Sequence, residues 1–291
     1  MPGEAKALLT TFIWAVTTII LTNQTRRIGT LSLNVVRTLL AAAFLLIFIP
    51  FSGAAGELRQ MSAATALSMV GSGLLAFAVG DSLYFLALRA LGAALAVPIA
   101  EAAYPLLTFL LAWVWLGESF STALLLGAAF VVAGILLLTG GRGDPPAGAR
   151  PDWRLGLPLV FVAPFFWALS TVWLRAGAAD LGPAAASVLR VVPVAFVLIP
   201  VAYRSPAGLQ LRRYRLTDLL GIAIIGVLGM GVTSLLYVGA IEDIGASRTA
   251  ILTATVPLFT LPMAVVFLGE RLTLRVVLGT LICTAGILFI V

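Results

Sequence analysis

A chain of 291 residues that is 61% hydrophobic and only 10% charged, with a mean hydropathy of +1.12, carries far more apolar surface than a water-soluble domain of that length can hide. Its net charge of +6 and pI near 10.2 would suit a nucleic-acid binder, but the basic residues stand singly or in small groups between apolar runs, as membrane proteins arrange them to set their orientation, so nucleic acid is excluded as a partner and the lipid bilayer is implied. Histidine is absent and the one cysteine, Cys283, lies inside an apolar run, which leaves no disulfide, no thiol pair, no cysteine or histidine metal site and no cofactor to expect.

At about 20 residues per membrane span, the chain holds about ten helices and reads as an all-α membrane protein. In chain order, charges, prolines and glycines bound apolar runs at 5–22, 32–51, 63–88, 93–116, 121–138, 155–174, 183–203, 216–240, 246–268 and 272–291. The first follows Lys6, is of full span length and has no small-residue cleavage site after it, so it reads as a span and not as a removed signal. The polar stretch 140–154, with Asp144, Pro145, Pro146 and several basic residues, is the natural joint between two five-helix halves, 1–139 and 155–291.

The halves are copies of one segment. Residues 105–136 and residues 257–288, 152 positions later, agree at 14 of 32 positions. Each copy is an apolar helix running into Leu-Gly-Glu (Leu116, Gly117, Glu118; Leu268, Gly269, Glu270), then a second apolar helix with glycines seven apart (Gly127 and Gly134; Gly279 and Gly286). That spacing puts both glycines on one face, where two backbones can approach closely. Upstream, at an offset of 153, Phe12, Trp14, Ala15, Thr18 and Leu21 match Phe165, Trp167, Ala168, Thr171 and Leu174, and Arg37, Tyr84 and Gly92 match Arg190, Tyr237 and Gly245. Because five is odd, the second half enters the bilayer from the opposite face, giving an inverted-topology repeat. The gaps after spans one, three, five, seven and nine carry twelve arginines, whereas the other face has only Lys6, Arg59, Arg175 and Arg248. By the positive-inside rule the arginine-rich face is cytoplasmic and both termini are periplasmic.

Ten spans in two duplicated fives, a Trp in the first helix of each half, an Arg early in the second, and Pro followed by Leu-Gly-Glu at the end of the fourth resemble the EamA-type members of the drug/metabolite transporter superfamily. The resemblance covers nearly the whole chain and is specific for the fold. It implies a bacterial inner-membrane exporter of small metabolites with helices around a central cavity. Among its branches the aromatic amino-acid exporters of the YddG kind look closest in the aromatic character of the spans. Sugar-phosphate and nucleotide-sugar carriers share the architecture, but a phosphate substrate would want several basic residues inside, where only the two matched arginines stand.

Trp14 and Trp167 sit mid-span, away from the interfacial belt, where an indole N–H needs a partner. With Tyr84 and Tyr237 they either wall a substrate cavity or pack helix on helix. Arg37 and Arg190 lie about two turns into their helices, at a cost on the order of 2.5–3.5 kcal/mol each on insertion scales. They grip a carboxylate or phosphate, gate one end of the bundle, or snorkel to the headgroups. Glu101 stands between Pro98 and Pro105, two breakers that predict an irregular, cavity-lining helix, and a carboxyl there suits a substrate ammonium or a coupling proton. Asp81, after Gly80, is a similar candidate or a local cap at a kink. Thr17, Thr18, Ser170 and Thr171 line up near the tryptophans and either face a substrate or bond back to their own helices. Glu118 and Glu270 read as caps on the first turn of the helix that follows each. Asn23, Gln24 and Asn34 read as interfacial.

The expected function is therefore secondary transport of a small, largely apolar metabolite, an amino acid above all, by alternating access. No Gly-Lys-Ser/Thr phosphate loop is present to couple ATP, so facilitated diffusion and proton antiport both fit. An intramembrane enzyme would need clustered His, Asp or Ser groups, and an assembly factor would not need Trp, Tyr and Glu at mid-span depth. Oligomeric state leaves no mark in the sequence.

Overall fold

The structure, a computed structural model, describes residues 1–116, 122–140, 151–177, 181–204 and 214–290. Among these residues all regular structure is helical. The first half contains α1 (Gly3–Thr25), α2 (Thr30–Ser52), a short α3 (Ala54–Gln60), α4 (Ala63–Gly73), α5 (Asp81–Leu91), α6 (Ala93–Leu116) and α7 (Thr122–Gly140). The second contains α8 (Trp153–Gly177), α9 (Pro183–Arg204), α10 (Leu216–Ala223), α11 (Thr233–Thr253), α12 (Val256–Leu268) and α13 (Leu274–Ile290). Among the described residues six helical runs are long and apolar enough to cross a bilayer, and four shorter apolar helices accompany them. Helix is the form that satisfies every backbone N–H and C=O inside hydrocarbon without a partner segment. Hydroxyls in α1 fit the same rule, since Thr10, Thr11, Thr17 and Thr22 donate to the carbonyls four residues back at 2.7–2.9 Å.

The relative direction of matched helices shows how the two copies sit. On the α2–α9 interface Val35 clusters with Val194, Leu198 and Ala202, while Ala41, Ala42 and Leu45 cluster with Val188, Val191 and Ala195, so the two helices run antiparallel. The α7–α13 pair is antiparallel too: Gly134 faces Gly279 and Cys283, and Gly286 faces Gly127 and Val131. Two copies of one helix can oppose each other this way only if the second copy is upside down. The repeat is inverted, as the odd helix count requires.

The glycines seven apart explain why α7 and α13 lie so close. A Cβ added at Gly134 would come within 2.7 Å of the Gly279 carbonyl oxygen, and one at Gly286 within 2.7 Å of the Gly127 carbonyl oxygen. With no difference in polarity between lipid and side chain to drive association, such backbone proximity is what holds a helix pair together.

Two expectations are corrected. The irregular backbone does not fall between Pro98 and Pro105, because α6 is helical through both. It falls instead in π-helical turns at Leu74–Gly80 and Ile224–Val232, which join α4 to α5 and α10 to α11 without a break. The gap predicted near residues 241–245 is likewise closed. Gly92 breaks its helix with φ 79°, but its counterpart Gly245 stays helical in α11, and the chain turns at Ala254–Thr255. Pro257 follows in the first turn of α12, where its missing N–H costs nothing. The Leu-Gly-Glu of the first half, with Glu118, and most of the 140–154 joint lie outside the described residues.

Replacing Gly134 by Leu should drive α7 and α13 apart at a cost of about 1–3 kcal/mol, typical of overpacking. The thermal midpoint in detergent should fall by several degrees, while Gly56→Leu, where a side chain meets open space, should leave it unchanged.

Candidate functional site

Where the two halves meet, α1, α2, the π turns, α5, α6, α8, α9 and α11 enclose a cavity of about 190 Å³. All twelve residues singled out in the sequence as binding or gating candidates line it. The repeat is the reason, since matched residues of two inverted copies converge on the axis that relates them.

The walls are aromatic. Trp14 of α1 lies 5.5 Å from Tyr237 of α11 between ring centres, and Trp167 of α8 lies 4.9 Å edge-on from Tyr84 of α5. Both contacts cross between halves. Each indole N–H finds a partner across the same boundary: Trp14 Nε1 donates to Thr233 Oγ1 at 3.1 Å and Trp167 Nε1 to Asp81 Oδ1 at 2.9 Å. Of the hydroxyls beside them, Thr17 and Thr171 bond back to their own helices, at the Ile13 and Trp167 carbonyls, whereas Ser170 of α8 donates across to the Ser72 carbonyl of α4. Thr171 also meets the Tyr104 hydroxyl at 2.7 Å.

Neither arginine snorkels. Each is only 6% exposed and faces the cavity. Arg37 is held by two side chains and a ring: its Nε donates to Asn34 Oδ1 at 3.0 Å, its guanidinium forms an ion pair with Asp81, and it lies 4.6 Å from the Phe85 ring centre. Asn34 is therefore buried and not interfacial, and it also donates to the Phe77 carbonyl at 2.9 Å, inside the first π turn. A π turn leaves carbonyls without their usual i+4 donor, and Asn34 supplies a side-chain donor to one. Asp81 is the first residue after that turn and no mere local cap. Arg190 differs. It donates one long bond of 3.3 Å to Ser170 Oγ and lies 5.2 Å from the Phe77 ring centre, and its Nε has no partner.

Glu101 lines the cavity from α6 and, among the described residues, has neither a hydrogen bond nor an ion pair. Tyr237 lies within electrostatic reach of both Arg190 and Glu101. The sequence reading missed Tyr104, Thr233 and Ser234, which also line the cavity. Tyr104 sits three residues after Glu101 and so shares its helix face, and Thr233 sits four before Tyr237; helical spacing from the chosen residues would have found both.

Glu270 caps a helix, but not the one that follows it. Its carboxylate accepts from the backbone N–H groups of Ala93 and Ala94, at 3.2 and 2.7 Å, and so closes the N-terminus of α6 in the other half, while Arg26 approaches at 3.3 Å. The glycine break at Gly92 leaves those N–H groups free for it.

The profile of the EamA-like transporter family matches residues 1–140 and again residues 154–291. The chain belongs to the EamA-like transporter family. Along 289 residues, 98% of this chain and 96% of the other, it is 25% identical to an uncharacterized transporter of Archaeoglobus fulgidus. Over 138 residues, 47% of this chain and 43% of the other, it is 33% identical to a probable terminal-alkyne amino-acid exporter of Streptantibioticus cattleyicolor. A protein of known crystal structure superposes with a TM-score of 0.68 at 16% identity, covering 99% of this chain and 95% of that one, a likeness of fold alone.

In this EamA-like transporter the Arg37–Asp81 pair is the costliest polar contact to break, because removing one partner strands a buried charge. Asp81→Asn should destabilise the protein by about 3–5 kcal/mol, whereas the double replacement Arg37→Met with Asp81→Leu should recover most of that loss. Thermal unfolding in detergent of the single and double variants measures the difference.

Proposed function

We propose that this EamA-like transporter exports small, largely apolar metabolites, amino acids with aromatic or aliphatic side chains above all, across the bacterial inner membrane by alternating access. The observation that carries the reading is the cavity between the inverted halves: aromatic walls, with Glu101 unpartnered and Arg190 only partly satisfied. A volume of about 190 Å³ is below the roughly 300–1,000 Å³ of pockets for drug-sized ligands and suits a single metabolite. The similarity, over 138 residues, to a probable amino-acid exporter supports the same class. A phosphate ester would call for several free cations, and Arg37 is already neutralised by Asp81.

The halves 1–139 and 155–291, joined through 140–154, rock about the central cavity. Their end contacts suit that motion. Lys6 pairs with Asp243 at 2.8 Å at one end of α1, and Arg26 with Glu270 and Arg27 with Asp218, at 3.3 and 3.1 Å, at the other. Each joins the two halves: Lys6–Asp243 is open to water, and such exposed pairs are worth about 0–1 kcal/mol, whereas the acids of the other two pairs, Glu270 and Asp218, are buried, which makes that end the costlier to open. Glu101 takes the substrate ammonium outward and a proton on the return leg. The arginine-rich face lies in the cytoplasm and both termini in the periplasm, by the distribution of basic residues.

Reconstituted in liposomes, the protein should exchange radiolabelled leucine, phenylalanine or tryptophan and accumulate them when a pH gradient is imposed. Glu101→Gln should abolish the gradient-driven accumulation, and failure of the wild type to move any of the three would overturn the reading.

A further inference from the structure

The two arginines of the repeat occupy matched positions, yet their surroundings differ, and the difference names the substrate's anchoring group. Arg37 has two side-chain partners in its own half, Asn34 at its Nε and Asp81 at one terminal nitrogen, Nη2. At the same offset of 153 positions, Asn34 becomes Ser187 and Asp81 becomes Ser234. Both serines are buried, and they satisfy one another, Ser234 Oγ donating to Ser187 Oγ at 2.9 Å. Both partners that the first half supplies are thus withdrawn in the second. What remains is a guanidinium more than nine-tenths buried on the cavity wall, with five donors, one long bond to Ser170 and an Nε that bonds nothing. Ser234 lines the same cavity.

We propose that Arg190 is the carboxylate subsite of this transporter, held open by the Ser187–Ser234 replacement, so that a substrate carboxylate takes against Arg190 the place that Asp81 takes against Arg37. The inference rests on the transport reading above and sharpens it: the substrate must carry a free carboxylate, and substrates in which that group is masked are rejected. A guanidinium presents paired donors matched to a carboxylate's two oxygens, and a site with such donors discriminates strongly against an analogue that leaves them unmet. Glu101, free of partners and sharing the field at Tyr237 with Arg190, stands ready for the ammonium of the same zwitterion. Ser234 is then a specificity-determining residue, since an acid there would supply the missing carboxylate internally.

The test is competition against counterflow of labelled leucine, phenylalanine and tryptophan in liposomes holding the full chain. For each labelled amino acid, the unlabelled parent, its deaminated acid and its amide are compared as competitors. In the wild type the parent should compete at least about tenfold better than the amide, in line with hydrogen bonds to charged groups, and the deaminated acid should also outcompete the amide. Ser234→Asp should bring parent and amide to equality, and Arg190→Lys should retain part of the preference that Arg190→Gln loses. Equal competition by parent and amide in the wild type overturns the proposal while leaving transport intact, and needs no variant to fold. A Ser234→Asp protein that elutes as a folded species and keeps the wild-type ratio overturns it equally. Absence of flux for all three labels instead defeats the transport reading on which the proposal stands.

Discussion

A guanidinium two turns inside a hydrocarbon slab has to find its counter-charge or its hydrogen bonds within the protein, and this requirement organises the centre of the molecule. The cost of such a charge, on the order of 2.5–3.5 kcal/mol at mid-span, is offset at Arg37 by Asp81, Asn34 and the face of Phe85. Those partners come from α2 and from the helix that carries the first π turn, so the ion pair fixes where the two helices cross. Gly73 and Gly226, matched residues near the π turns, permit two further close approaches, of α4 to α9 and of the second π turn to α2, since a Cβ at either would run into the backbone of Arg190 or Arg37 respectively. The first π turn in turn frees a carbonyl that Asn34 fills. One buried charge thus accounts for a helix crossing, a π turn and a buried amide together.

The same rule explains how much could be read from the sequence. Duplication, span count and inversion were legible because they depend on periodicity and on matched residues, and both are one-dimensional. The glycines seven apart in α7 and α13 were legible for that reason. The identity of partners was not. Asn34 reads as an interfacial residue because it sits near a helix start, and only the crossing with Phe77 and Ser82 buries it. Glu270 has the composition of a local cap, yet the N–H groups it satisfies belong to α6, some 175 residues away in sequence. Pro98 and Pro105 promise a broken helix, but α6 stays helical through both, whereas the π turns fall in stretches with no proline at all. Tyr104 was overlooked because it has no matched twin, and recurrence had served as the filter.

Inversion gives a transporter its two states cheaply, because exchanging the conformations of the two copies turns one facing state into the other. The copies are not identical here, and the departures are concentrated where the substrate would sit. Asn34 and Asp81 against Ser187 and Ser234, and Glu101 against Thr253, place the internal acids in the first half and leave the unsatisfied base in the second. A cavity with perfect twofold character would present equivalent ends to a substrate that has a head and a tail. One with its acid and its free base on different halves holds such a substrate in a single orientation.

The distribution of inter-half contacts fits the proposed rocking. The indole bonds of Trp14 to Thr233 and of Trp167 to Asp81 cross between halves at the centre, near the axis, where a rocking motion displaces atoms least. The salt bridges of Lys6, Arg26 and Arg27 cross at the ends of α1, where it displaces them most. The ends differ in strength. Lys6 with Asp243 is open to water on both sides, and its contribution is correspondingly small. Glu270 is buried and holds two backbone N–H groups besides Arg26, so the arginine-rich end is tied more firmly than the end at Lys6.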